Sequence, residues 1–220
     1  MYKFFLYFVL TISYLGLAKA LSPTEVGVQY LQNEKGFPKL LKGNAVSVIL
    51  IDTHTTGFLI KTYYQKYRVI TDYDNIEEMI VRTSREFAKK NLKNMGLSLY
   101  RKLENKEETL PVPPGSHYIG NPEYGEFRTS AKSGKSRWVF WKAYKDFPKY
   151  FGWGKWRPTE EFFQQLRNSQ VSQTPFYGLN AEFGVNGPVT RENFPHFFRS
   201  ERTKQINMKD LLIEYFKENF

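Results

Sequence analysis

Ala45-Val-Ser-Val-Ile-Leu-Ile51 is the run on which the fold turns. Four of its seven residues are β-branched and none is charged. Such a segment packs well on a pleated, covered surface, and it is far too short to be a membrane helix. The next apolar stretch, Gly57 to Thr71, carries Phe58, Ile60, Tyr63, Tyr67, Val69 and Ile70. It reads as one or two further strands that pair back as a hairpin or meander. From Asp74 onward the spacing changes. Ile76, Ile80, Thr83, Phe87, Met95 and Leu99 drift along one helical side, and Glu78–Arg82 and Glu86–Lys90 stand four apart in the favourable order. These features predict one long helix, capped by Asp74 and running to about Leu103, with Gly96 ending or bending it. On it Arg82, Arg85, Lys89 and Lys93 would share a face, a solvated surface before it is an anion-binding stripe. The expected class is α+β: a small, mostly antiparallel sheet packed by one long helix, followed by a loop-rich aromatic C-terminal lobe.

Upstream, Ser22-Pro-Thr-Glu25 is a capping box with proline at the first helical position, which predicts a short helix to about Gln32. Before it, Lys3 precedes an uncharged run from Phe4 to Leu17 and then Ala18-Lys-Ala20. A positive start, an apolar middle and a small-x-small end make an export signal. Residues 1–20 are therefore expected to be removed, and the mature protein to act in the periplasm or outside the cell. No later segment is long enough to cross a membrane as a helix, although peripheral membrane contact stays open. Downstream, Leu110-Pro-Val-Pro-Pro-Gly115 is a stiff connection. It divides an N-terminal lobe, 21–109, from a C-terminal lobe, 110–220, and the two are expected to form one compact unit. In the second lobe Arg137 to Lys142 reads as a strand. Thr159 caps a helix to about Asn168, and Asn207 caps a last helix from Met208 to Asn219.

The chain has no cysteine, which removes thiol nucleophiles, disulfides and Cys-ligated zinc. It holds 32 Lys and Arg against 22 Asp and Glu. The segment expected to be cleaved takes away only Lys3 and Lys19, so the surplus falls from ten to eight. A positive surface favours anionic partners. Aromatic residues make up 17% of the chain, and all four tryptophans, Trp138, Trp141, Trp153 and Trp156, fall within one short segment. Lysines and Arg157 lie between and after them.

Flat rings cover the C–H face of a sugar, and nearby cations hold acidic groups on a glycan. The candidate ligand-binding residues are thus Trp138, Trp141, Trp153, Trp156, Tyr124, Lys155 and Arg157. The competing interpretation is a core built from large rings, with snorkelling lysines. The Trp153-Gly-Lys-Trp156 pair is expected on a loop with its rings toward solvent. The partner this implies is an anionic polysaccharide or peptidoglycan. Nucleic acid would use similar stacking and charge, but it ranks lower for an exported protein.

Glu182 sits among apolar residues and glycines, surroundings in which a carboxyl can act as a general acid. Glu123 is the candidate second member of a glycosidase pair. An envelope glycan hydrolase or lyase is therefore the alternative to pure binding, and a structural envelope-assembly protein is a third. His54, His117 and His196 lack the spacing of a zinc motif. Neither a metal nor a cofactor is expected.

Overall fold

The computed structural model describes residues 2–21, 27–56, 61–72, 75–131 and 134–204. The class is α+β. The chain divides into two compact units, 1–92 with 99–109, and 93–98 with 110–220.

The first unit contains helix α1 (Tyr2–Leu21) and a six-stranded sheet. Its strands are β1 (Tyr30–Leu31), β2 (Ala45–Thr56), β3 (Thr62–Thr71), β4 (Asn75–Thr83), β5 (Ser98–Leu103) and β6 (Lys106–Glu108), in the order β1-β4-β3-β2-β5-β6. β2–β3, β3–β4 and β5–β6 pair antiparallel, while β1–β4 is parallel. The sheet is thus larger than expected. Val48, Ile49 and Leu50 of β2 are wholly buried, each adding about 1.5–3 kcal/mol by leaving water. One turn of helix, α2 (Phe37–Leu40), places Phe37 against Tyr67, Phe87 and Tyr100.

The expected helix from Asp74 to Leu103 is not formed. Residues 75–83 are strand β4, paired to β3 across its whole length from Thr71↔Asn75 to Tyr63↔Thr83. The helical spacing is a coincidence within a segment rich in β-branched side chains, which a sheet position suits better. Glu78 does not meet Arg82; it reaches across the strands to Lys66 and Arg68. Helix α3 spans only Arg85–Asn91, and its cap is Ser84, whose Oγ accepts from Phe87 N at 3.1 Å. Lys90 pairs with Glu34 at 3.0 Å and not with Glu86. The helix expected to begin at Ser22 starts outside the described residues. Its far end is instead a turn followed by β1. Among the described residues no helix is long and apolar enough to cross a membrane.

The second unit has a two-stranded antiparallel sheet, β7 (Gly125–Thr129) with β8 (Ser136–Phe140). Its helices are α4 (Phe147–Tyr150), α5 (Glu160–Ser172), α6 (Pro188–Asn193) and α7 (Pro195–Lys204). Thr159 caps α5 as its sequence predicts, accepting from Phe162 N at 3.2 Å. The helix expected over 208–219 lies outside the described residues. The interior is a web of rings: Tyr118, Tyr124, Trp138, Phe147, Phe151, Trp153, Phe162 and Phe183 are all buried.

Candidate functional site

The loop after α4 decides which tryptophans can meet a ligand. Gly152 adopts φ +67°, a left-handed conformation that reverses the chain and drives Trp153 inward. The Trp153 indole stacks on Phe140 at 5.5 Å, and its Nε1–H donates to the Pro114 carbonyl at 2.9 Å. It is 1% exposed, and Trp138 in β8 is 2% exposed. These two rings and Tyr124, also buried, are core and cannot stack on a sugar. A domain of this size with so many rings and no disulfide stabilises itself by burying them. Trp141 keeps partial exposure; its Nε1–H donates to Pro122 O at 2.9 Å and Arg128 lies 5.9 Å over its ring. Lys155 is exposed on the same loop as Trp156.

Trp156 is the ring that meets a cleft. After Trp153 the chain runs alongside β8: Trp138 N donates to Pro158 O at 2.8 Å, and Arg137 bridges Thr159. This brings Trp156 and Arg157 to a cleft of about 410 Å³, closed by the first turn of α5 and by the 179–182 turn. The half-exposed indole is held by three edge-on neighbours, Trp153 at 5.4 Å, Phe162 at 4.9 Å and Phe183 at 4.9 Å. The Arg157 guanidinium donates to Gly154 O at 2.7 Å and Trp156 O at 2.6 Å, which locks the loop. Partial burial, and then the like charge of Arg137, hold the Arg157 pKa below the usual guanidinium range. It remains a cation at neutral pH, and an approaching anion would favour its charged form against both effects.

The cleft also carries carboxylates. Glu182 lines it, together with Glu160 and Glu161 of α5. Glu182 braces its own turn, where its Oε2 accepts from Asn180 N at 3.0 Å and its Oε1 from Asn180 Nδ2 at 3.2 Å. Gly178, at φ +99°, leaves the space that this carboxylate occupies; a Cβ there would collide with Oε2. Glu160 accepts from Ser136 Oγ at 2.8 Å. Glu123 is exposed in the turn before β7 and is not among the residues lining the cleft. Of the predicted site residues, the cleft therefore unites Trp156, Arg157 and Glu182. Lys135, Ser136, Thr159, Glu160, Glu161 and Asn180 join them. Sequence reasoning missed these because they come from three separate segments, and only the capping role of Thr159 leaves a local signal.

The histidines are dispersed. His54 stacks on Tyr64 at 5.0 Å in the first unit, His117 packs on Tyr118 at 3.8 Å in the second, and His196 is exposed on α7. Among the described residues no group of three His, Cys, Asp or Glu is placed to hold a metal ion.

The chain matches no protein-family model, and no curated protein and no solved structure is similar to it.

Proposed function

We propose that this is an exported protein that binds a cell-envelope glycan of the peptidoglycan type, with a sugar ring on Trp156 and acidic substituents toward Arg157 and Lys135. The observation that carries this reading is the single indole, fixed by three edge-on rings, at the wall of a cleft that holds charges of both signs. An aromatic platform ringed by amide, hydroxyl and carboxylate groups suits a polyhydroxylated ligand, whose hydroxyls both donate and accept. The mixed charge narrows the partner. A uniformly anionic chain would meet three carboxylates in the cleft, whereas peptidoglycan presents ammonium groups and amides beside its acids. Export rests on the residue order of 1–20, which points to the periplasm or beyond it.

Co-sedimentation with purified sacculi tests the reading. The protein is expected to pellet with sacculi above the level of a basic protein of matched charge. Trp156→Ala is expected to lose most of that excess. No enrichment over the control would overturn it.

A hydrolytic version has one observation in its favour: Glu182 and the α5 carboxylates line the same cleft. It keeps Glu182 and replaces Glu123 by Glu160 or Glu161 as the second carboxylate. It predicts loss of turbidity from a sacculus suspension, abolished in Glu182→Gln; an undiminished suspension leaves binding alone.

A further inference from the structure

The first unit has its own cleft, of about 930 Å³, where the end of β4 meets β1, the start of β3 and the first turns of α3. Lys61, Arg82, Arg85 and Lys89 line it against one acid, Glu86. Other basic residues of this unit have found carboxylates: Lys66 and Arg68 meet Glu78, and Lys90 meets Glu34. Among the described residues none of the four at the cleft has an ion pair. Four cations gathered in one concavity repel one another, and low-dielectric walls concentrate their field.

Two further observations point to a ligand. Thr83 lines the cleft and is 4% exposed, and its hydroxyl has no hydrogen-bond partner among the described residues. A buried donor left without a protein partner is uncommon in a native fold. Arg82 lies 5.2 Å over the Tyr30 ring, which presets the guanidinium while leaving Tyr30 52% exposed. A helix through this segment would line up Arg82, Arg85 and Lys89 on one solvated face; strand β4 and the short α3 gather them into a cleft instead.

We propose that this cleft is a second binding site, specific for phosphate groups carried at least in pairs, such as a diphosphate or an array of phosphodiester headgroups. Paired guanidinium forks match phosphate oxygens, and the surplus of positive charge exceeds what one phosphate would neutralise. The site is independent of the Trp156 cleft and does not rest on the glycan reading.

Isothermal titration with pyrophosphate at low and moderate salt is the test. A parallel arm uses vesicles of phosphatidylglycerol in phosphatidylcholine. The probe is expected to bind the full chain, with affinity falling as salt rises. Arg85→Gln with Lys89→Gln changes two exposed side chains and is expected to weaken binding about tenfold or more. The control is Lys39→Gln with Lys145→Gln, two exposed side chains whose change removes the same charge outside the cleft. That control is expected to leave affinity at moderate salt within about twofold, since salt screens exposed charges that do not touch the ligand. Thr83→Val adds a check on the buried hydroxyl, with circular dichroism to confirm folding. Tighter binding in the vesicle arm identifies a headgroup as the phosphate source, and tighter binding of pyrophosphate identifies a free one; both sustain the site. No binding in either arm, or equal losses in the two double variants, would overturn it. Retention of pyrophosphate binding by Trp156→Ala separates this result from the fate of the glycan reading.

Discussion

Trp153 and Trp156 stand three residues apart and have opposite fates. The first is sealed among Phe140, Phe151 and Pro114, while the second keeps part of its ring at a cleft wall. The difference comes from backbone geometry, because the turn at Gly152 aims one ring inward and leaves the other at the exit of the loop. Trp153→Ala is expected to cost about 3–5 kcal/mol in urea denaturation, as for other large buried rings. Trp156→Ala should cost clearly less and act on ligand binding. Equal destabilisation by the two changes would contradict this division. Gly178→Ala should also be harmful, since the new Cβ occupies the seat of the Glu182 carboxylate and the residue lies at positive φ. Glycan binding by that variant measures whether the 179–182 turn shapes the cleft.

At the scale of elements, caps and cross-strand charges carry specific energies. Ser84 accepts from Phe87 N and donates to Gln32 O, so it closes the start of α3 and ties it to the chain after β1. Ser84→Ala is expected to cost about 1 kcal/mol in thermal or chemical unfolding. In the β5–β6 hairpin the buried Arg101 meets Glu108 at 3.1 Å, and Lys106 meets the same carboxylate at 2.9 Å. Burial pushes the Glu108 pKa upward, but the hydrogen bonds and charges of Lys106 and Arg101 outweigh it and hold the carboxyl below its usual range. A carboxyl with a depressed folded-state pKa stabilises the fold above its unfolded value. That contribution is lost as pH falls from the unfolded carboxyl's usual range through the lower, folded value. Glu108→Gln is expected to cost about 2 kcal/mol at neutral pH and to flatten the acid limb of a stability–pH curve. An unchanged acid limb would contradict the assignment.

The elements also show what the residues disclose locally. The β2 core strand, its hairpin with β3 and the Thr159 cap are legible in the sequence, because continuous β-branched runs and capping side chains are local signals. β4 is not: its Ile76, Ile80 and Thr83 also fit a helical period, and only pairing with β3 decides between the two. The same limit applies to the candidate site. Trp156, Arg157 and Glu182 can be named one by one. That they share a cleft, and that Trp138, Tyr124 and Trp153 do not, depends on how distant segments pack.

At the scale of the whole molecule, a net charge of +10 attracts any polyanion, so affinity alone says little about a specific site. Specificity has to be read at individual rings. The four indole N–H groups provide that reading, because each gives one signal in a ¹⁵N-correlated spectrum and the four rings differ in environment. Titration of the full chain with soluble peptidoglycan fragments is the most direct measurement. The account predicts that the Trp156 signal moves most, with a smaller shift at its neighbour Trp153 and little change at Trp138 and Trp141. A largest shift at Trp141, or four unmoved signals at saturating fragment, would contradict a glycan site at Trp156.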